Sequence, residues 1–179
     1  MGQNRLLECV LKAGAYKAAV IDIHEVVLSA SFREICAGNG CGRYNRCWQC
    51  PPDIGEIDVL MATLKQYQTG ILYQTVYEIE DSFDIEGMGE SAARHAQVSQ
   101  QVNDAMKVAL QVPFLHLSCG GCNLCDRCAK EDGLPCRFPE KSLPPMEGYG
   151  IDVYQTSART DLKYINGQNT VTFFGLVAF

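Results

Sequence analysis

The chain has 179 residues, a formal net charge of -6 at pH 7, 47% hydrophobic residues and ten cysteines. That is enough chain for a single domain with its own core, and the acidic balance, without a run of lysine or arginine, argues against nucleic acid or an anionic membrane as the partner. No stretch reaches the ~18 apolar residues of a membrane span. The start, Met1-Gly-Gln-Asn-Arg, lacks a charged then apolar leader, so the expected location is the cytoplasm, where thiols stay reduced.

Residues 4–13 read as a helix capped by Asn4 and ended by Gly14, with Leu6, Leu7, Val10 and Leu11 on its apolar side. Cys9 on this helix reads as a small half-buried thiol. Residues 18–28, rich in valine and isoleucine, predict a strand or a broken pair of strands, and His24 within them reads as a strand residue rather than a ligand. The first cysteine box follows, with Cys36, Cys41, Cys47 and Cys50 closing on Pro51-Pro52. Gly38, Gly40 and Gly42 make it a loop, and Trp48, the one tryptophan, sits among its cysteines.

Asp53 with Glu56 three residues on reads as a capping box, and Ile57, Leu60, Met61, Leu64 and Tyr67 fall on one helical face. Gly70 ends that helix, and residues 71–79 alternate as a strand. Residues 78–90 form an acidic loop, read either as solvated surface or as a docking patch for a basic redox partner. Ser91 is expected to cap a long helix running to about residue 111. Its buried stripe reads Val98, Val102, Ala105, Met106 and Ala109, with His95 exposed. Pro113 breaks it, and residues 114–118 predict a short strand in which His116 reads as structural, with non-cysteine metal ligation as the alternative. Residues 150–154 and 170–179 read as two further strands joined through the Asn166-Gly167 turn, the last one apolar on both faces and therefore central.

The short strand delivers the second box, Cys119-Gly-Gly-Cys122-Asn-Leu-Cys125-Asp-Arg-Cys128, followed by Pro135-Cys136. Structural zinc usually takes two separate Cys-x2-Cys units, whereas overlapping ones with a distant cysteine suit a chain wrapped around a 4Fe-4S cluster. A disulfide framework is disfavoured by compartment and by the long periodic segments. The expected fold is α/β: a single domain, a mixed β-sheet flanked by helices, with two cysteine-rich metal-binding loops meeting at one end.

With both boxes located, the sequence resembles the DUF2284 family, described as predicted metal-binding proteins. The likeness rests on Cys36, Cys41-Gly-Arg-Tyr44 and Trp48-Gln-Cys50-Pro51-Pro52 in the first box. In the second it rests on Cys122, Cys125, Cys128 and Pro135-Cys136-Arg137-x-Pro139, and the tail residues 150–154 and 171–177 also match. Cys47 and Cys119 depart from the family pattern. The resemblance implies metal binding more than any particular chemistry.

The favoured function is a 4Fe-4S protein, with one or two clusters, passing single electrons to a redox partner protein in anaerobic metabolism. The ligand sets are Cys122, Cys125, Cys128 and Cys136 for one cluster and Cys36, Cys41, Cys50 and Cys47 for the other, with Cys119 as a further metal ligand and Cys50 and Cys136 exchangeable. The alternatives are a zinc-stapled interaction module and an enzyme that binds substrate at an open cluster iron. No catalytic constellation, phosphate loop or dinucleotide fingerprint is present, and a homodimer stays open.

Overall fold

A computed structural model describes residues 2–179. Four strands form one sheet in the order β1-β2-β4-β3: β1 (Lys17–Asp22), β2 (Thr69–Glu78), β4 (Thr170–Ala178) and β3 (Leu115–Leu117). All three pairings are antiparallel, with Leu72 opposite both Ala19 and Leu176, and Leu117 also opposite Leu176. The last strand is thus interior, as its apolar faces predict.

Side chains alternate across a strand, so β2 and β4 feed two cores. Ile71, Tyr73 and Val177 face a layer made by α1 (Gln3–Lys12) and α4 (Ile85–Ala109), where Leu6, Val10, Val102 and Met106 are buried. Leu72, Phe174 and Leu176 face the other way, onto Leu60 and Leu64 of α3 (Ile57–Leu64), Met146, Ile151 and Leu162. Two glycines permit this packing. A Cβ at Gly70 would stand 2.9 Å from both Ile23 Cδ1 and Leu176 Cδ1, and one at Gly175 would run into the phenol ring of Tyr73.

Several boundaries differ from the sequence reading. In α1 the N-cap is Gly2, and Asn4 lies inside the helix. Residues 18–28 do break: β1 stops at Asp22, whose carboxylate caps a 3-10 turn, Ile23–Glu25, that carries an exposed His24. Asp53 does not cap α3, which starts at Ile57 behind Glu56, because the Asp53 carboxylate is engaged by Lys130 at 2.6 Å. Helix α4 begins at Ile85, six residues before Ser91, because Asp84 accepts from the Gly87 amide at 2.8 Å, so part of the acidic loop is helical. Residues 150–154 are not a strand. Ile151 makes one isolated bridge to Leu28, and Asp152 then caps a short helix, α5 (Val153–Ser157), by accepting from the Gln155 amide at 2.9 Å.

His95 is the clearest correction, being 1% exposed. Ser91, His95, Ser99 and Asn103 recur every fourth residue, so α4 carries a polar line on its buried face beside the apolar one. That line is satisfied within the fold: His95 Nδ1 pairs with Thr75 Oγ1 at 2.8 Å, and Ser99 Oγ accepts from the Tyr73 hydroxyl at 2.8 Å. Tyr73 also pairs with His116 Nε2 at 2.9 Å, and Ser99 with Ser118 Oγ at 3.0 Å. Burial holds His95 down to about 4 and His116 to about 3, so both rings are neutral near pH 7. This network fixes Ser118, the last residue before the second cysteine box.

Candidate metal centre

The first box leaves α2 (Phe32–Ala37), which carries Cys36 near its C-terminus. The chain then turns on left-handed Asn39, Gly42 and Asn45. Asn39 Oδ1 accepts from the Tyr44 amide at 3.0 Å, and the Asn45 amide donates to Pro51 O at 2.8 Å, so the loop folds back on its own end. These turns send Cys47 and Cys50 inward, to 1% and 5% exposure, while Cys41 stays exposed and Cys36 half-buried.

The second box leaves β3 through Ser118, whose amide and carbonyl bond Pro144 and Met146 at 2.9 and 2.8 Å. Gly120 takes a positive φ of 65°, and Gly121 is pressed so close to Arg43 that a Cβ there would stand 2.9 Å from the Arg43 Cγ. Its cysteines, Cys119, Cys122, Cys125 and Cys128, and then Cys136, are all half-buried.

Polar side chains stitch the two loops together. Lys130 Nζ meets Asp53 Oδ1, Arg46 meets Glu131 at 3.1 Å, and Arg43 bonds Asn123. Trp48 Nε1 donates to Leu134 O at 3.0 Å, and Gln49 Nε2 to Ser142 Oγ at 2.7 Å. Each of these bonds joins the first loop to the second. The acidic chain has therefore gathered Arg33, Arg43, Arg46, Arg127, Lys130 and Arg137 around its cysteines. Such a collar offsets the negative charge of converging thiolates.

The thiols fall into two groups with Cys47 between them. The Cys47 sulfur lies beside the thiols of both Cys122 and Cys50, and those two neighbours hold it far below the ordinary thiol value. The same contacts push Cys50 and Cys122 up. On one side a cavity of about 20 Å³ is bordered by Cys47, Cys122, Cys125, Cys128, Cys136 and the Trp48 ring. On the other, Cys36 and Cys41 lie near enough to Cys50 to add to its upward shift. Burial raises Cys36, against the opposing pull of Arg33. Cys119 does not border the small cavity but lines a larger cleft that Cys122 also borders, and burial pushes its thiol up. Cys9 lies on α1, outside both boxes.

Among the described residues no three His, Cys, Asp or Glu side chains stand ready to chelate a single ion. The donor set is one of thiols arriving from two loops. Its cavity, about the size of one water probe, must widen to admit anything larger. The loops around it are irregular and held by turns and ion pairs, which leaves them the freedom to do so.

Two features lay outside the reach of the sequence reading. The Lys130–Asp53 pair joins residues far apart in the chain and follows no motif. Glu147 is brought beside the second box because residues 144–146 pair with Ser118. Its carboxylate accepts the Gly120 amide, burial raises its pKa, and its Oε2 is buried without a partner.

The sequence model of the DUF2284 family, described as "Predicted metal-binding protein", matches residues 19–179. No curated protein and no solved structure matches the chain.

Proposed function

The chain belongs to the DUF2284 family of predicted metal-binding proteins, and from that premise we propose that its two cysteine loops hold one or two 4Fe-4S clusters that serve one-electron transfer to a partner protein. The observation that carries the reading is the convergence at Cys47, whose sulfur touches a thiol of each loop. An iron–sulfur cluster bound there would take up and release one electron at a time.

The chain's own residues supply the rest. Cys122, Cys125, Cys128 and Cys136, with Cys47 beside them, border one pocket and are the thiolates for one cluster. Cys36, Cys41 and Cys50 are the thiolates for the other, again within reach of Cys47. Trp48 borders the first pocket beside these thiols, where an aromatic ring limits solvent access and tunes a redox centre. The arginines favour the reduced, more negative state. No described helix is long and apolar enough to cross a membrane. The reading keeps the protein in the cytoplasm, in a reducing setting suited to anaerobic metabolism.

A zinc module is the second reading, favoured by the same contacts. Cys47, Cys50 and Cys122, brought together from two loops, are the soft thiolate donors that tetrahedral zinc takes at about 2.3 Å. The two readings separate in one experiment on anaerobically purified protein. The redox reading expects broad absorption near ~400 nm that dithionite bleaches and air restores. A colourless protein that holds zinc and stays colourless after iron–sulfide reconstitution would leave the zinc module.

A further inference from the structure

Beside the second cysteine box lies a cavity of about 540 Å³, within the usual range for small-molecule sites. Its origin is topological. Strand β3 pairs only with Leu176–Ala178 of β4, so the stretch from Thr170 to Gly175 has no partner strand on that side. The chain instead swings out through Ser118 into the cysteine loop and leaves a slot along the open edge of β4, with α4 on one side and the opposite core layer on the other.

The two walls differ. Helix α4 presents Ala92, Ala93 and Ala96, whose methyl groups make a flat face. Across the slot stand Phe174 and Tyr164, on the sheet face turned away from α4, their rings stacked at 5.9 Å between centroids and 13° between planes, while Phe173, on the α4 face, stacks on His95. A slot with methyls on one side and rings on the other suits a planar body. At its inner end are the Ser99 and Ser118 hydroxyls, 3.0 Å apart.

Charge narrows the ligand. Glu147 is the one charged side chain among the described lining residues, and no lysine or arginine borders the cavity. A phosphate or carboxylate would find no cation there. Glu147 is half-buried, the Gly120 amide lies beside its carboxylate, and its Oε2 is buried without a partner. A buried acceptor left open is unfavourable, and a ligand donor would relieve it.

We propose that this cavity binds a flat nitrogen heterocycle, neutral or cationic, seated between the α4 alanines and the aromatic wall and donating an N–H to Glu147. Cys119 and Cys122 border the same cavity, so the ring lies at the edge of the candidate metal centre. The site is built of protein atoms alone and stands apart from the iron–sulfur reading.

The test uses the full chain, purified anaerobically, with benzimidazole as probe and 2-naphthoate as a flat anion of similar size, followed by calorimetry and saturation-transfer NMR. Metal content is measured on every sample. Benzimidazole should bind saturably and 2-naphthoate should not. Glu147→Gln should weaken binding at least tenfold, and Ala96→Phe, which fills the slot, should abolish it with metal content and melting temperature unchanged. Ala93→Phe, at an exposed position on the same face, serves if Ala96→Phe fails to fold. No binding of benzimidazole at millimolar concentration, equal binding of the anion, or unchanged affinity in the slot-filling variants would overturn the proposal. A colourless chain that binds benzimidazole defeats only the redox reading, and a coloured one that does not bind it defeats only this site.

Discussion

The sheet and the cysteine end are held by different forces. Leu72, Leu176 and Val177 are fully buried among apolar neighbours, in paired strands whose register their alternation sets. The cysteine loops have no strand or long helix, few apolar contacts, and a web of ion pairs and single hydrogen bonds between them. Surface ion pairs contribute little, and half-buried thiols form a poor core. The difference teaches that the sheet is held by its own core, whereas the loops, on the proposed reading, take their rigidity from a bound metal.

Removing the metal should separate the two regions most strongly. Binding free energies of structural metal reach about 10–16 kcal/mol in small thiolate sites, so its loss is the largest change available. After chelation, amides in residues 36–52 and 119–142 should exchange with solvent within seconds, while those of β2 and β4 stay protected. Equal loss of protection in the sheet would break the comparison.

Next in size is the converse change. Leu176→Ala should cost about 2–5 kcal/mol in denaturant unfolding, since Leu176 is fully buried and the packed sheet cannot collapse onto the gap. Metal bound per folded chain should not change.

Acid tests the polar line that joins the regions. The folded pKa of His95 lies near 4, below the ordinary value of about 6.5, so the unfolded chain takes up a proton first as pH falls. Stability is therefore complete above about pH 6.5 and is lost progressively down to about pH 4, by about 3 kcal/mol for this residue. His116 adds loss of the same sign. Exchange of β2 amides at pH 7 and 4.5 would read it, and His95→Gln should flatten the slope. An unchanged slope would contradict the assignment.

The smallest effect concerns the stitching. Lys130→Met leaves Asp53 without its partner and should cost about 1–3 kcal/mol locally. It should speed metal loss from the loops and leave the melting of the sheet unaltered.

What the sequence disclosed follows the same division. The cysteine boxes were legible because spacing along the chain is itself the chemical signal, and β2 and β4 because short runs rich in β-branched and aromatic residues lie between turn signals. The two-sided burial of β4 correctly implied an interior strand. The misplaced elements share one cause, a polar residue whose partner the sequence does not mark. His95 looked exposed until Thr75 and Phe173 closed over it. Asp53 looked like a cap until Lys130 claimed it. Residues 150–154 looked like a strand because the Asp152 cap of α5 was hidden among apolar neighbours. The position of Cys47 between the two thiol groups was not legible either, since it depends on how one loop lies against the other.

The most direct test of the central claim, that both loops together form one metal centre, is the iron, zinc and acid-labile sulfide content per chain after anaerobic purification, in the native protein and in Cys47→Ser. About eight iron and eight sulfide would indicate two clusters and about four would indicate one, with a fall in Cys47→Ser expected in either case. A protein without iron, zinc or sulfide after reconstitution would contradict the account.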